Sequence, residues 1–210
     1  MIDTIVVVAS GGHAIRLAGR QPKSLMPYGR TAFLAIVLKT IKPWPFPVVI
    51  ATNRQEYLQD YRCLSSHHSH TTIALDDGVP STIDLARRAA LTINCSRVLF
   101  LYGHAPRPSS HIAAMLGQRS ALVLSSCSST SKRQPIQCGS DRFIEPPYLV
   151  SRELLISTSA PSWNDFIATH RIHASVVALD GPCEFNEPVE VPPYERYIQR
   201  WNARRASCRG

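Results

Sequence analysis

The chain has 210 residues, 44% of them apolar and 18% charged, a globular balance that excludes a disordered or collagen-like polymer. One core can be buried at this length and nothing calls for a second, so a single domain is expected over residues 1–210, with a basic tail at about 200–210. The formal charge of +8 favours anionic partners, without choosing between nucleic acid and small phosphorylated ligands.

Ile5-Val6-Val7-Val8 heads the chain and reads as a strand buried on both faces, as parallel strands under crossover helices are. It runs into Ser10-Gly11-Gly12. Thr31 to Ile41 then carries Phe33, Leu34, Val37, Leu38 and Ile41 at helical spacing, and Pro43, Pro45 and Pro47 end it. Val48 to Ala51 is the next strand, which makes the first three elements one right-handed crossover unit. A short helical stretch follows over Glu56 to Tyr61. Thr71 to Leu75 reads as a strand ending in the turn Asp76-Asp77-Gly78, and Ser81 caps a helix reaching Leu91. Val98 to Leu101 is a strongly buried strand, and Ser109 or Ser110 caps a helix to Leu116. Ala121 to Leu124 is a further strand, followed by a loop rich in serine from Ser125 to Ser131. Beyond it the alternation loses clarity: a helix is expected over Pro161 to His170, a strand over Ala174 to Leu179, and a terminal helix over Pro193 to Asn202.

The fold class that follows is a Rossmann-like α/β domain of three layers, αβα, with a mostly parallel sheet. Six cysteines at 63, 95, 127, 138, 183 and 208 have neither Cys-x-x-Cys spacing nor a tight framework, so reduced thiols and a cytoplasmic setting are expected. No basic segment leads into a long apolar one at the amino terminus, and no stretch approaches the roughly twenty apolar residues of a membrane span. The arginines between Arg196 and Arg209 read as a solvated tail in preference to a nucleic-acid arm.

Open α/β sheets bind ligands at the carboxyl ends of their strands, which singles out a few residues. Glycines at such an end let backbone amides approach phosphate oxygens, although a tight turn that binds nothing has the same appearance. Arg16 and Lys23 could neutralise phosphate charge. Asn53 either meets a base or caps a turn, and His104 either contacts metal or substrate or bonds a neighbouring loop. His67, His68 and His70 make either a transition-metal patch or an ordinary surface loop.

These segments resemble the nucleotidyltransferases of the molybdenum cofactor guanylyltransferase and cytidylyltransferase type, within the nucleotide-diphospho-sugar transferase fold. Ser10-Gly11-Gly12-His13-Ala14-Ile15-Arg16-Leu17 is similar to the family's Ala-Gly-Gly-x-x-x-Arg-Met loop, and Pro22-Lys23-Ser24-Leu25-Met26-Pro27 to its lysine motif. Ile50-Ala51-Thr52-Asn53-Arg54 is similar to the segment that reads guanine, and Gly78-Val79-Pro80-Ser81-Thr82-Ile83 to the turn that encloses the nucleotide. Lys132-Arg133-Gln134-Pro135-Ile136 is similar to the family's Gly-His-Pro segment near the acceptor. The family's metal-binding Asp belongs to a Gly-Asp-x-Pro or Cys-Asp-x-Pro motif, where this chain has Gly103-His104-Ala105-Pro106. A second metal contact falls in the region of Glu187 or Glu190.

The resemblance implies transfer of a nucleoside monophosphate from a triphosphate to a small phosphorylated acceptor, such as a pterin or sugar phosphate, with release of pyrophosphate. Ser10, Gly11, Gly12, Arg16, Lys23, Asn53, Gly78 and Ser81 would hold the nucleotide, with Arg16 and Lys23 acting on the phosphates. His104 and Glu187 would stand at the positions of ligands to magnesium or manganese. The alternative is a homologue that binds nucleotide or a partner protein and has lost the chemistry with the metal-binding Asp.

Overall fold

A computed structural model describes residues 2–11, 21–68, 70–75, 81–128, 136–137, 142–182, 195–196 and 199. The opening apolar run lies within β1 (Ile2–Ala9), where Ile5, Val6, Val7 and Val8 are fully buried. Such a strand needs cover on both faces, and it receives it. Ile5 and Val7 pack with Ile83, Ala86 and Phe100, whereas Val6 and Val8 pack with Leu34, Val37, Ile50 and Leu101. The first group draws on α3 (Thr82–Thr92) and the second on α1 (Phe33–Ile41), so the sheet lies between two helical layers, as expected. β4 (Val48–Thr52) and β6 (Cys95–Tyr102) flank β1 in parallel, and β5 (Thr71–Leu75) adds to β4. α2 (Leu58–Ser65) joins β4 to β5.

The helix expected from Thr31 begins at Phe33 instead. Thr31 and Ala32 form β3 (Thr31–Ala32), which pairs antiparallel with β2 (Pro27–Tyr28). Gly29, at φ 59°, supplies the left-handed residue that this reversal uses. The helix over Ser109 to Leu116, α4, has Pro108 at its N-cap position. Ser109 therefore does not cap it; its hydroxyl donates to the Thr40 carbonyl at 3.1 Å and ties α4 to α1.

The far half departs further from the sequence reading. Ser125 to Ser128 is strand, the end of β7 (Leu122–Ser128), with Ser125, Ser126 and Cys127 buried. Beside it runs β9 (Arg142–Ser151), which the sequence does not announce because Pro146 and Pro147 argue against a strand interior. The ladder goes around them. Pairing of β9 with β6 runs from Arg97↔Ser151 to Phe100↔Tyr148 and stops short of the prolines. Pairing with β7 jumps from Leu124↔Tyr148 to Ser126↔Ile144, so the prolines occupy a bulge and no ladder hydrogen bond is asked of them. β8 (Ile136–Gln137) pairs with β9, and β10 (Ser175–Pro182) runs parallel to β7. The strand order is β10-β7-β9-β6-β1-β4-β5, and β9 opposes both its neighbours.

α5 (Arg152–Ser157) follows β9 directly, and α6 (Trp163–His170) begins at Ser162, whose hydroxyl accepts from the Asp165 N–H at 3.2 Å. Trp163 packs against Phe100 and Tyr148, an aromatic wall on the α3 face. Cys127 is disulfide-bonded, whereas Cys63 and Cys95 are free. Reduced thiols throughout are thereby corrected at Cys127; spacing along the chain carries no information about which strands meet. The Lys132–Pro135 turn and most of the expected terminal helix fall outside the described residues. Among the described residues no helix is long and apolar enough to cross a membrane.

A buried polar group joins the two halves. Arg107, 2% exposed, donates to the Pro146 carbonyl at 2.9 Å and to the Pro106 carbonyl at 3.3 Å. On α4, the His111 ring lies 3.0 Å from Ser125 Oγ and makes a further hydrogen bond to the backbone of Ala178. Burial first, and the Arg107 charge second, hold this imidazole down to about 4 from its ordinary 6.5. Between those values only the unfolded chain takes up the proton. Stability is therefore whole above pH 6.5 and is lost as pH falls towards 4, by up to about 3 kcal/mol. Urea unfolding should show a falling midpoint over this window, and His111→Gln should flatten the slope there.

Candidate functional site

Register places three strand ends at one level. Ala9 of β1 stands opposite Ala51 of β4 and Tyr102 of β6, so the loops opening at Ser10, Asn53 and Gly103 leave the sheet together. The Ser10 N–H donates to the Ala51 carbonyl at 2.8 Å, and the Gly103 N–H to the Ala9 carbonyl at 2.9 Å. At Ser10 the chain leaves the ladder, and a buried carbonyl there needs new donors. The Tyr61 hydroxyl donates to it at 2.6 Å and the Ser24 hydroxyl at 3.2 Å. Tyr61 is fully buried on α2. Burial pushes its phenol up, outweighing the hydrogen bonds with Ser24 and Thr52 and the Arg54 charge, so it remains a donor. Ser24 is the middle residue of a single 3-10 turn, Lys23–Leu25, which holds the half-buried Lys23 beside an anchored neighbour.

Two glycines let neighbouring loops come close to their backbone. A methyl group on Gly11 would lie 2.5 Å from Asn53 Oδ1 and 2.9 Å from the Asn53 amide nitrogen. One on Gly103 would run into Ser10 Oγ and come within 2.9 Å of Ser24 Cβ. Arg54 reaches back across the gap, its Nε donating to the Gly11 carbonyl at 3.4 Å and its guanidinium 3.7 Å from the Glu56 carboxylate. Beyond Gly103, the half-buried His104 lies nearly flat against Tyr102, with ring centroids 5.3 Å apart and planes 16° from parallel.

Ser10, Gly11, Lys23, Asn53 and His104 are thus brought to one end of the sheet. The part Ser10 plays is its carbonyl, because its side chain is buried against Gly103. Ser81 stands at the N-cap position of α3 but does not cap it; its hydroxyl donates to Asp84 at 2.7 Å, and Asp84 in turn pairs with Arg87 at 2.6 Å. Gly12, Arg16, Gly78 and Glu187 lie outside the described residues, as do Asp76, Asp77 and Glu190. Sequence reasoning passed over Tyr61 and the room-limiting role of Gly103. A tyrosine among the polar residues of a short helix is a weak signal, and a lone glycine before His104 is no stronger.

The described donors do not fit magnesium. That ion takes hard oxygen ligands in octahedral array, whereas the β6 end offers an imidazole. Among the described residues no three His, Cys, Asp or Glu side chains gather to hold a metal.

No family model matches the chain, and no curated protein matches it in sequence. Solved structures do match in shape. The structure of Rv0371c from Mycobacterium tuberculosis H37Rv aligns with TM-score 0.65 and 16% identity, covering 94% of this chain and 98% of that one. A Bacillus anthracis protein described provisionally as a glucose-1-phosphate thymidylyltransferase, in complex with sucrose, aligns with TM-score 0.71 and 15% identity, covering 95% and 94%. The chain has the nucleotide-diphospho-sugar transferase fold. An Rv0371c homologue from Mycobacterium sp. strain JC1 aligns with TM-score 0.61 and 17% identity, covering 95% and 97%.

Tyr61→Phe removes the nearer donor to the Ser10 carbonyl and should lower stability by about 1–2 kcal/mol in urea titrations. Gly11→Ala should cost a similar about 1–3 kcal/mol through overpacking against Asn53.

Proposed function

We propose that the chain is a nucleotidyltransferase that moves a nucleoside monophosphate from a nucleoside triphosphate to a small phosphorylated acceptor. The observation that carries this reading is the convergence of Gly11, Lys23, Asn53 and His104 at the carboxyl ends of three adjacent parallel strands, in a fold whose ligand crevice lies there. An oxygen of the acceptor phosphate attacks the α-phosphorus. The bond from that phosphorus to the oxygen bridging to the β-phosphate breaks, and pyrophosphate leaves with the electron pair. Such transfers depend on placing the reactants and neutralising charge, with little covalent work by the protein. Lys23 supplies positive charge from an anchored turn, and the Gly11 backbone admits the phosphates closely. Asn53, exposed beside Gly11, is placed to meet the base. Gly12 and Arg16 extend the same loop in sequence, and Arg16 adds a second cation.

The description of the Bacillus anthracis neighbour supports a sugar phosphate as one acceptor class, and the resemblance of the loop motifs supports a pterin phosphate as another. The reading places the protein in the cytoplasm, with the nucleoside triphosphates. A second reading, a binder of nucleotide without turnover, is favoured by one observation: His104 stands where the resembled family has its metal-binding carboxylate.

Calorimetry with GTP, CTP, ATP and UTP, paired with pyrophosphate detection in the presence of sugar phosphates and pterin phosphates, tests both readings. The transferase predicts binding and pyrophosphate release, with Lys23→Ala weakening binding about tenfold or more, as the loss of a charge-assisted contact does. Binding without pyrophosphate under every metal and acceptor combination would favour the binder, and no binding at all would overturn both.

A further inference from the structure

We propose that this chain takes its nucleotide without a divalent cation, the His104 imidazole meeting the ligand directly at the β6 strand end. This rests on the nucleotide-binding reading above and adds to it the form in which the nucleotide is bound. The position of His104 is fixed from below. Gly103, just before it, is held by its N–H to the Ala9 carbonyl at 2.9 Å and is hemmed in by Ser10 and Ser24. The ring is fixed from the side. It lies on Tyr102, whose own ring meets Phe100 edge-on at 5.6 Å and 77°, and Phe100 is fully buried against Trp163. An imidazole held in this way is a nitrogen group of set direction, suited to donate to a phosphate or hydroxyl oxygen and ill suited to magnesium.

The charges around it point the same way. Lys23 and Arg54 bring positive charge to the neighbouring loops, with Arg54 bound to the Gly11 carbonyl. The nearest acid on those loops, Glu56, is taken up by Arg54 at 3.7 Å with its side chain 58% exposed. A nucleoside triphosphate loses part of its charge when it carries magnesium, so a site lined by cations favours the metal-free form. Where a carboxylate would need a cation between itself and the phosphates, a histidine needs none.

The test is calorimetry of the full chain with GTP, CTP, ATP and UTP, each in EDTA and in excess magnesium, repeated with His104→Asp. The expected result is that the native chain binds its preferred nucleotide at least as tightly in EDTA as in magnesium, while His104→Asp binds more tightly in magnesium. If the native chain binds about tenfold more weakly in EDTA, the inference is overturned and the transferase reading stands. If His104→Asp keeps the native response to magnesium, His104 is not the group responsible and the inference is likewise overturned. Failure of every nucleotide in both buffers overturns the nucleotide reading itself and this inference with it. Should His104→Asp not fold, as judged by its melting curve, His104→Asn decides instead. It should lose about tenfold in EDTA and gain nothing from magnesium, and unchanged binding in EDTA would overturn the inference.

Discussion

The candidate site hangs on what becomes of a single carbonyl oxygen. β1 is buried on both faces, so when it ends at Ser10 the chain must leave the sheet without stranding a polar group in the interior. The oxygen is met from two directions, by a phenol on α2 and by a hydroxyl from the 3-10 turn after the glycine loop. Each contact is modest in net energy, because water would have made it too in the unfolded chain. Their structural effect is larger. They fix where the loop starts and where it returns, and so bring Lys23 back to the strand end from which the chain departed.

Around that anchor the site is assembled by the absence of side chains as much as by their presence. Gly11 and Gly103 allow the loops to close up on Asn53, Ser10 and Ser24, and either Cβ would push a neighbour away. The positions of Asn53 and His104 therefore depend on residues that have no side chain of their own. The aromatic series from His104 through Tyr102 to Phe100 and Trp163 extends the same constraint into the core, so that a half-buried imidazole is coupled to the packing under α6.

Much of the first half was legible because its signals are local. A run of β-branched residues, a glycine turn and apolar residues at helical spacing each depend on neighbours within a few positions, and β1, α1, β4 and α3 lie within a few residues of where they were expected. The second half was less legible because its signals are tertiary. Ser125 and Ser126 look like loop residues until His111 approaches Ser125, and Pro146-Pro147 looks like a break until the bulge between two ladders is seen. In the site, Lys23 and Gly11 could be picked out by their motifs, whereas Tyr61 could not, since its role is defined by a carbonyl fifty-one positions earlier. The disulfide at Cys127 was hidden for the same reason.

The reversed strand β9 also has a bearing on how the chain comes together. β5, β4, β1 and β6 form a contiguous block of sheet drawn from the first 102 residues, each strand paired within the block. β7 has no such partner when it emerges, because it meets the rest of the sheet only through β9, and β9 is complete only at Ser151. On a ribosome this first block can settle early, while β7 waits, apolar and unpaired, for about two dozen more residues. The serines that made this stretch look like a loop leave the waiting strand less sticky than a run of valines would.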